Sequence, residues 1–182
     1  MKEIRKIIRD VLTEEEDNYA SFKGVEKYYK RKEDFIKSVK TFNDIDREKI
    51  PEIIEFFGNE GFNDKEEAIK DLTEKIEEYQ KFKDPVKLYR IVGVKDKKLI
   101  NTDDLGEHYT PYDWMLDSDM VLSIGSEMWE ENWEPYVMEV LAPLSEIDVW
   151  QTIIQNLSFP NEHEINLKNK GNGAKFIKAY KL

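Results

Sequence analysis

The sequence predicts an α+β fold, with amino-terminal helices packed on a mixed or antiparallel β-rich core. Three observations predict it. Up to residue 84 the apolar residues recur at three-to-four spacing, the period of a helix with one buried face. Beyond Asp84-Pro85 they alternate with polar residues, the period of a strand. A length of 182 residues suits one compact unit made of a helical region, 1–84, and a β-rich region, 85–182.

The elements follow in order. Ile4, Ile7, Ile8, Val11 and Leu12 form one stripe of a first short helix. Thr13 with Glu16 has capping-box spacing and opens a second, carrying Tyr19, Phe22, Phe35, Ile36 and Val39. Pro51 suits the first turn of a third, with Ile53, Ile54 and Phe57 inward and Gly58 as its stop. Asn63 with Glu66 caps a fourth, whose inner face holds Ala68, Ile69, Leu72, Ile76 and Tyr79. Strands are then expected at VKLYRIVG from Val86, PYVMEVLA from Pro135, EHEINL from Glu162 and AKFIKAYK from Ala174. Tyr112–Ile124 reads as a short helix.

Composition removes several function classes. There is no cysteine, hence no disulfide, thiolate metal site or cysteine nucleophile. The start, MKEIRKIIRD, lacks the apolar run of a signal peptide, and no long apolar stretch spans a membrane. A cytoplasmic protein is the expectation. The net charge of −11 is segregated: between Lys98 and Lys168 there is no lysine or arginine, while Leu99 to Leu167 holds 15 acids. Such a field repels nucleic acid and attracts a basic partner; its alternative is a solubilising surface. Lys23–Lys40 is the most basic run and also reads as a solvated helix face.

Four segments carry candidate chemistry. In VKLYRIV, period two sets Arg90 on a face with Val86, Leu88 and Val92. A guanidinium there needs a fixed anionic partner, either an internal carboxylate or a phosphate-bearing ligand. In EHEINL, Glu162, Glu164 and Asn166 share one face and His163, Ile165 and Leu167 the other. Two carboxylates about 7 Å apart at Cα raise each other's proton affinity when packed into a site. The alternative is an exposed acidic edge. LGEHYTP, from Leu105 to Pro111, offers a glycine turn, a histidine and two hydroxyls. His108 and His163, the two histidines, form a metal site with the glutamates only if both face them, and the alternation turns His163 away. Trp129, Trp133 and Tyr136 among four glutamates read as a partner surface or as amphipathic packing. P-loop, Rossmann and serine-hydrolase motifs are absent from the sequence.

The order of these pieces resembles the mono-ADP-ribosyltransferase family, in its arginine–serine/threonine–glutamate branch of clostridial binary toxins and phage enzymes. The matching residues are Leu88-Tyr89-Arg90, Gly106 to Thr110, and FPNEHEINL (Phe159–Leu167) followed by Gly173-Ala174-Lys175-Phe176. The resemblance spans about Val86 to Leu182. It implies an NAD-binding core in which Arg90 holds the NAD phosphates. It implies that Glu164 binds the 2′-hydroxyl of the nicotinamide ribose and stabilises the charge left as nicotinamide departs. Glu162 would orient or deprotonate the acceptor, and a glutamate in that place goes with arginine acceptors. The loop Asn156–Asn161 would meet the target protein, with Phe159 and Asn161 as contacts. The family's serine-threonine-serine motif is reduced to Tyr109-Thr110-Pro111. Thr110 is then the retained hydroxyl, with His108 and Tyr109 supplying hydrogen bonds beside NAD.

The resemblance thus implies an enzyme that transfers ADP-ribose from NAD to an arginine of a protein, with NAD hydrolysis as a side activity and no direct partnership with nucleic acid or membrane. The rival reading is a non-catalytic acidic inhibitor that imitates nucleic acid in a basic groove. Changing Glu162 and Glu164 together to glutamine separates the two, since a mimic retains 13 other acids in the segment.

Overall fold

The computed structural model of the chain describes residues 25–58, 61–113, 133–161 and 163–182. The expected first helix with Ile4–Leu12, the capping box at Thr13 and Glu16, Tyr19, Phe22 and Glu162 lie outside these residues. So do Trp129 and most of the expected Tyr112–Ile124 helix. The chain divides into two compact units, Met1–Lys40 and Thr41–Leu182. In the first, residues 25–38 form helix α1, closed by Ser38, whose hydroxyl donates to Phe35 O at 2.7 Å. Among the described residues no helix is long and apolar enough to cross a membrane.

The second unit is α+β. Helix α2 (Ile50–Phe57) starts with Pro51 in its first turn and ends at Gly58, whose φ of +83° is the left-handed stop a glycine supplies. Its buried aromatic is Phe56; Phe57, expected inward, is half-buried and stacks on Trp150 at 5.2 Å between ring centres. Helix α3 (Lys65–Tyr79) is capped by Asp64, one residue later than Asn63, because the Asp64 carboxylate accepts from Glu67 N at 2.8 Å. Asn63 instead donates to the Glu67 side chain. Ala68, Leu72, Ile76 and Tyr79 are buried at helical spacing, as expected, and Lys75 lies buried among them.

Strands β1 (Val86–Val94), β2 (His108–Tyr109), β3 (Glu134–Ala142), β4 (Ile165–Asn166) and β5 (Lys175–Lys181) form two antiparallel sheets. One runs in the order β1-β3-β5, with Leu88 opposite Val140 and Arg90 opposite Met138. The other pairs β2 with β4. A bridge between Tyr89 and Thr110, with both backbone bonds at 2.8 Å, sews β2 to the free edge of β1. Arg90, His108 and Glu164 thereby come from three successive segments, β1, β2 and the approach to β4. Central β3 is buried almost throughout, and its Glu139 is held between Lys87 at 3.1 Å and Lys178 at 3.4 Å.

Two expectations are corrected here. The strand expected from Glu162 begins only at Ile165, because His163 has φ +46°, which breaks the extended backbone. Asn156 is not in a loop: residues Val149–Ser158 form helix α4, capped by Asp148 through its bond from Gln151 N at 3.0 Å. Val149, Thr152, Ile153, Asn156 and Leu157 make its buried stripe. The β-branched run VWQTII hides a helix whose real signal is Asp148 followed by that three-to-four spacing.

Candidate active site

The first arm of the site is Arg90. It stands where the alternation puts it, following buried Val86 and Leu88 on one face, and is half-buried. Its Nη1 donates to Leu105 O at 2.9 Å, and its guanidinium lies 6.0 Å from the centre of the Tyr109 ring. The Tyr109 hydroxyl donates to the same carbonyl at 2.5 Å. Burial pushes the Tyr109 phenol up to about 12, against the pull of Arg90, so the ring stays neutral. Gly106 completes the cradle: its φ is +83°, and a Cβ there would fall 1.1 Å from Arg90 Nη1. Among the described residues, the partners of Arg90 are therefore a carbonyl and a phenol, neither of which cancels its charge.

Arg90 opens into a cleft of about 330 Å³ whose surface is about equally polar and apolar, with Val92, Leu99, Ile100 and Met138 on the apolar side and Arg90, Asn101 and Asp104 on the polar. That volume lies at the lower end of small-ligand sites, roughly 300–1,000 Å³. Glu164 does not line it.

The second arm is Glu164, whose side chain is 14% exposed. Its Oε1 accepts from Asn166 Nδ2 at 2.9 Å and also meets His108 Nδ1. Glu164 and Asn166 thus share a side, as period two predicts. The backbone beneath is gripped by α4. Asn156 Nδ2 donates to Glu164 O at 2.6 Å, and Thr152 Oγ1 accepts from Asn166 N at 2.9 Å. Asp148 N donates to Asn166 O at 2.8 Å. Asn156 and Thr152 are polar residues on a buried helical stripe, and these bonds offset their burial. Sequence reasoning missed both, although a polar pair at i and i+4 on an apolar face is the signal.

Short strand β2 joins the arms. Successive residues point oppositely, so exposed His108 reaches Glu164 while buried Tyr109 reaches Arg90. The Thr110 hydroxyl accepts from Tyr112 N at 3.3 Å. Phe159 (52% exposed) and Asn161 are exposed beyond α4, in a loop that begins at Phe159.

His163 faces away from the carboxylate, packing edge-on against Tyr112 at 5.4 Å between ring centres. Burial, helped by the Lys75 ammonium, holds its imidazole below the usual value. Near the ordinary histidine pKa of about 6.5 the unfolded chain takes up a proton that the folded chain does not. This contribution to stability is full above that value and falls as pH drops below it. His163→Asn, which tolerates the left-handed backbone, is expected to flatten the fall of Tm on acidification; an equal slope in parent and variant excludes His163 as the titrating group.

No family model, no curated protein and no solved structure matches this chain.

Proposed function

We propose that the chain is an NAD-dependent mono-ADP-ribosyltransferase that moves ADP-ribose from NAD to an arginine of a protein target and releases nicotinamide. The observation that carries this reading is that the segments bearing Arg90 and Glu164 flank the two residues of β2, Tyr109 lying beside Arg90 and His108 beside Glu164. The segments on which the family resemblance rests are scattered over 80 positions of sequence yet meet on neighbouring strands.

The residues suit the substrate. Arg90 offers a fork of donors to a pyrophosphate, and among the described residues its charge is not spent on a carboxylate. In the cleft beside it, Val92, Leu99, Ile100 and Met138 offer apolar surface to a flat ring. Glu164 is an acceptor held in place by Asn166 and His108. When the ribose C1′–N bond breaks, the electron pair leaves with nicotinamide and positive charge develops on the sugar. A carboxylate fixed beforehand stabilises that charge without reorganising. The acceptor nitrogen then bonds to C1′ and loses a proton, the task the resemblance gives to Glu162. The acidic segment Leu99–Leu167, from which His108 and Glu164 come, favours a basic target.

The test is labelled NAD incubated with a bacterial lysate and either the parent or Glu164→Ala. Label passing to protein with the parent alone supports the transferase. Nicotinamide release without labelled protein reduces the reading to a hydrolase. Neither signal, with no NAD binding by calorimetry, removes it in favour of the acidic inhibitor.

A further inference from the structure

Helix α3 carries a lysine where its packing calls for an apolar residue. Lys75 stands on the stripe of Leu72, Ile76 and Tyr79 and is 2% exposed. An ammonium in that position is costly unless it is paired and hydrogen-bonded. Its Nζ donates to the carbonyl of Pro160 and pairs with Asp71 Oδ2 at 2.9 Å, the Asp71 side chain being 31% exposed. Pro160 lies between Phe159 and Asn161, four residues before Glu164. A second strap reinforces this hold: Gly61 N donates to Leu157 O at 2.9 Å, and a Cβ on Gly61 would fall 2.7 Å from Pro160 Cδ. One turn along α3, the Tyr79 hydroxyl donates to Asn156 Oδ1 at 3.4 Å, and Asn156 in turn holds Glu164 O. The helix therefore grips the segment twice, at Pro160 through Lys75 and at Glu164 through Tyr79 and Asn156.

We infer that Lys75 is a positioning residue for the acceptor: by fixing the Phe159–Asn161 loop it sets how much ADP-ribose passes to a protein and how much to water. The inference rests on the transferase reading. In both outcomes the C1′–N bond breaks and nicotinamide takes the electron pair. In one a guanidinium nitrogen forms the new bond and gives up a proton; in the other a water oxygen does. Glu164 serves both, so loss of the Pro160 anchor alters the share between acceptors more than the total.

The test compares the parent with Lys75→Met and the milder Asp71→Asn. It measures the ratio of labelled protein to free ADP-ribose, and backbone amide exchange over residues 157–166. In Lys75→Met the ratio is expected to fall at least about tenfold, as a loop displaced by about an ångström costs that or more. Exchange over 157–166 is expected to rise while β1 and β3 stay protected. Asp71→Asn moves both readouts the same way, less far, and decides the matter if Lys75→Met loses protection in β1 and β3. Faster loop exchange with an unchanged ratio overturns the inference and leaves Lys75 a structural residue. Unchanged exchange in both variants overturns it as well. A parent that neither labels protein nor releases nicotinamide overturns the transferase reading itself and the inference with it.

Discussion

Glu164→Gln is expected to lower the rate of nicotinamide release about 100- to 1,000-fold while leaving the Kd for NAD within a few-fold. The amide is the same size as the carboxylate and can still accept from Asn166 Nδ2, so the local packing survives. What is lost is the negative charge, and its worth is greatest when positive charge peaks on the ribose. The defect therefore belongs in kcat, with KM little changed. Tm is expected to move by only a few degrees, because Asn156 and Thr152 hold the backbone of 164–166 regardless of the side chain. Equal rates for parent and variant at saturating NAD would remove Glu164 from the chemistry.

Gly106→Ala has the second-largest expected effect, and it falls on binding. The new methyl arrives 1.1 Å from Arg90 Nη1, a distance no adjustment of the methyl itself relieves. The guanidinium must swing away, giving up its bond to Leu105 O and its place over Tyr109. An alanine held at φ +83° adds strain of about 1–3 kcal/mol. KM for NAD is expected to rise at least about tenfold, since a bidentate phosphate contact depends on the fork being aimed. Denaturant unfolding and NAD titration separate the two consequences. If stability falls and NAD affinity does not, Arg90 is a structural arginine.

Much of this fold is legible in the sequence because burial enforces the pattern. Leu72, Ile76 and Tyr79 on α3 and Val86 and Leu88 on β1 can be read one by one, since each removes apolar surface from water at a regular period. The same logic exposes Arg90 as the exception on an apolar face, and it places Glu164 and Asn166 on one side. Legibility ends where a polar residue is buried for a partner remote in the chain. Lys75 and Pro160 stand 85 positions apart, and although the spacing puts Lys75 on the apolar stripe of α3, it names no partner for the charge. The partners of Asn156 are hidden in the same way, and α4 is hidden because Val149, Thr152, Ile153 and Ile154 are all β-branched, the residue type of strands. Asp64 in place of Asn63 and Phe56 in place of Phe57 are one-residue errors, the scale on which caps and helix phase compete.

Strand β2 is only two residues long, and its neighbours His108 and Tyr109 serve opposite arms. A slip of one residue in its pairing would carry the phenol out towards Glu164 and the imidazole beneath Arg90, disarming both at once. Two residues hold too little side-chain surface to forbid such an error. What forbids it is backbone: the paired bonds between Tyr89 and Thr110 on one side, and Leu167 N donating to Glu107 O at 2.8 Å on the other. These bonds act as a ratchet with a single tooth. Were they weakened, misaligned molecules would form a separate population, and on the proposed reading such a preparation would contain fewer competent copies rather than uniformly slower ones.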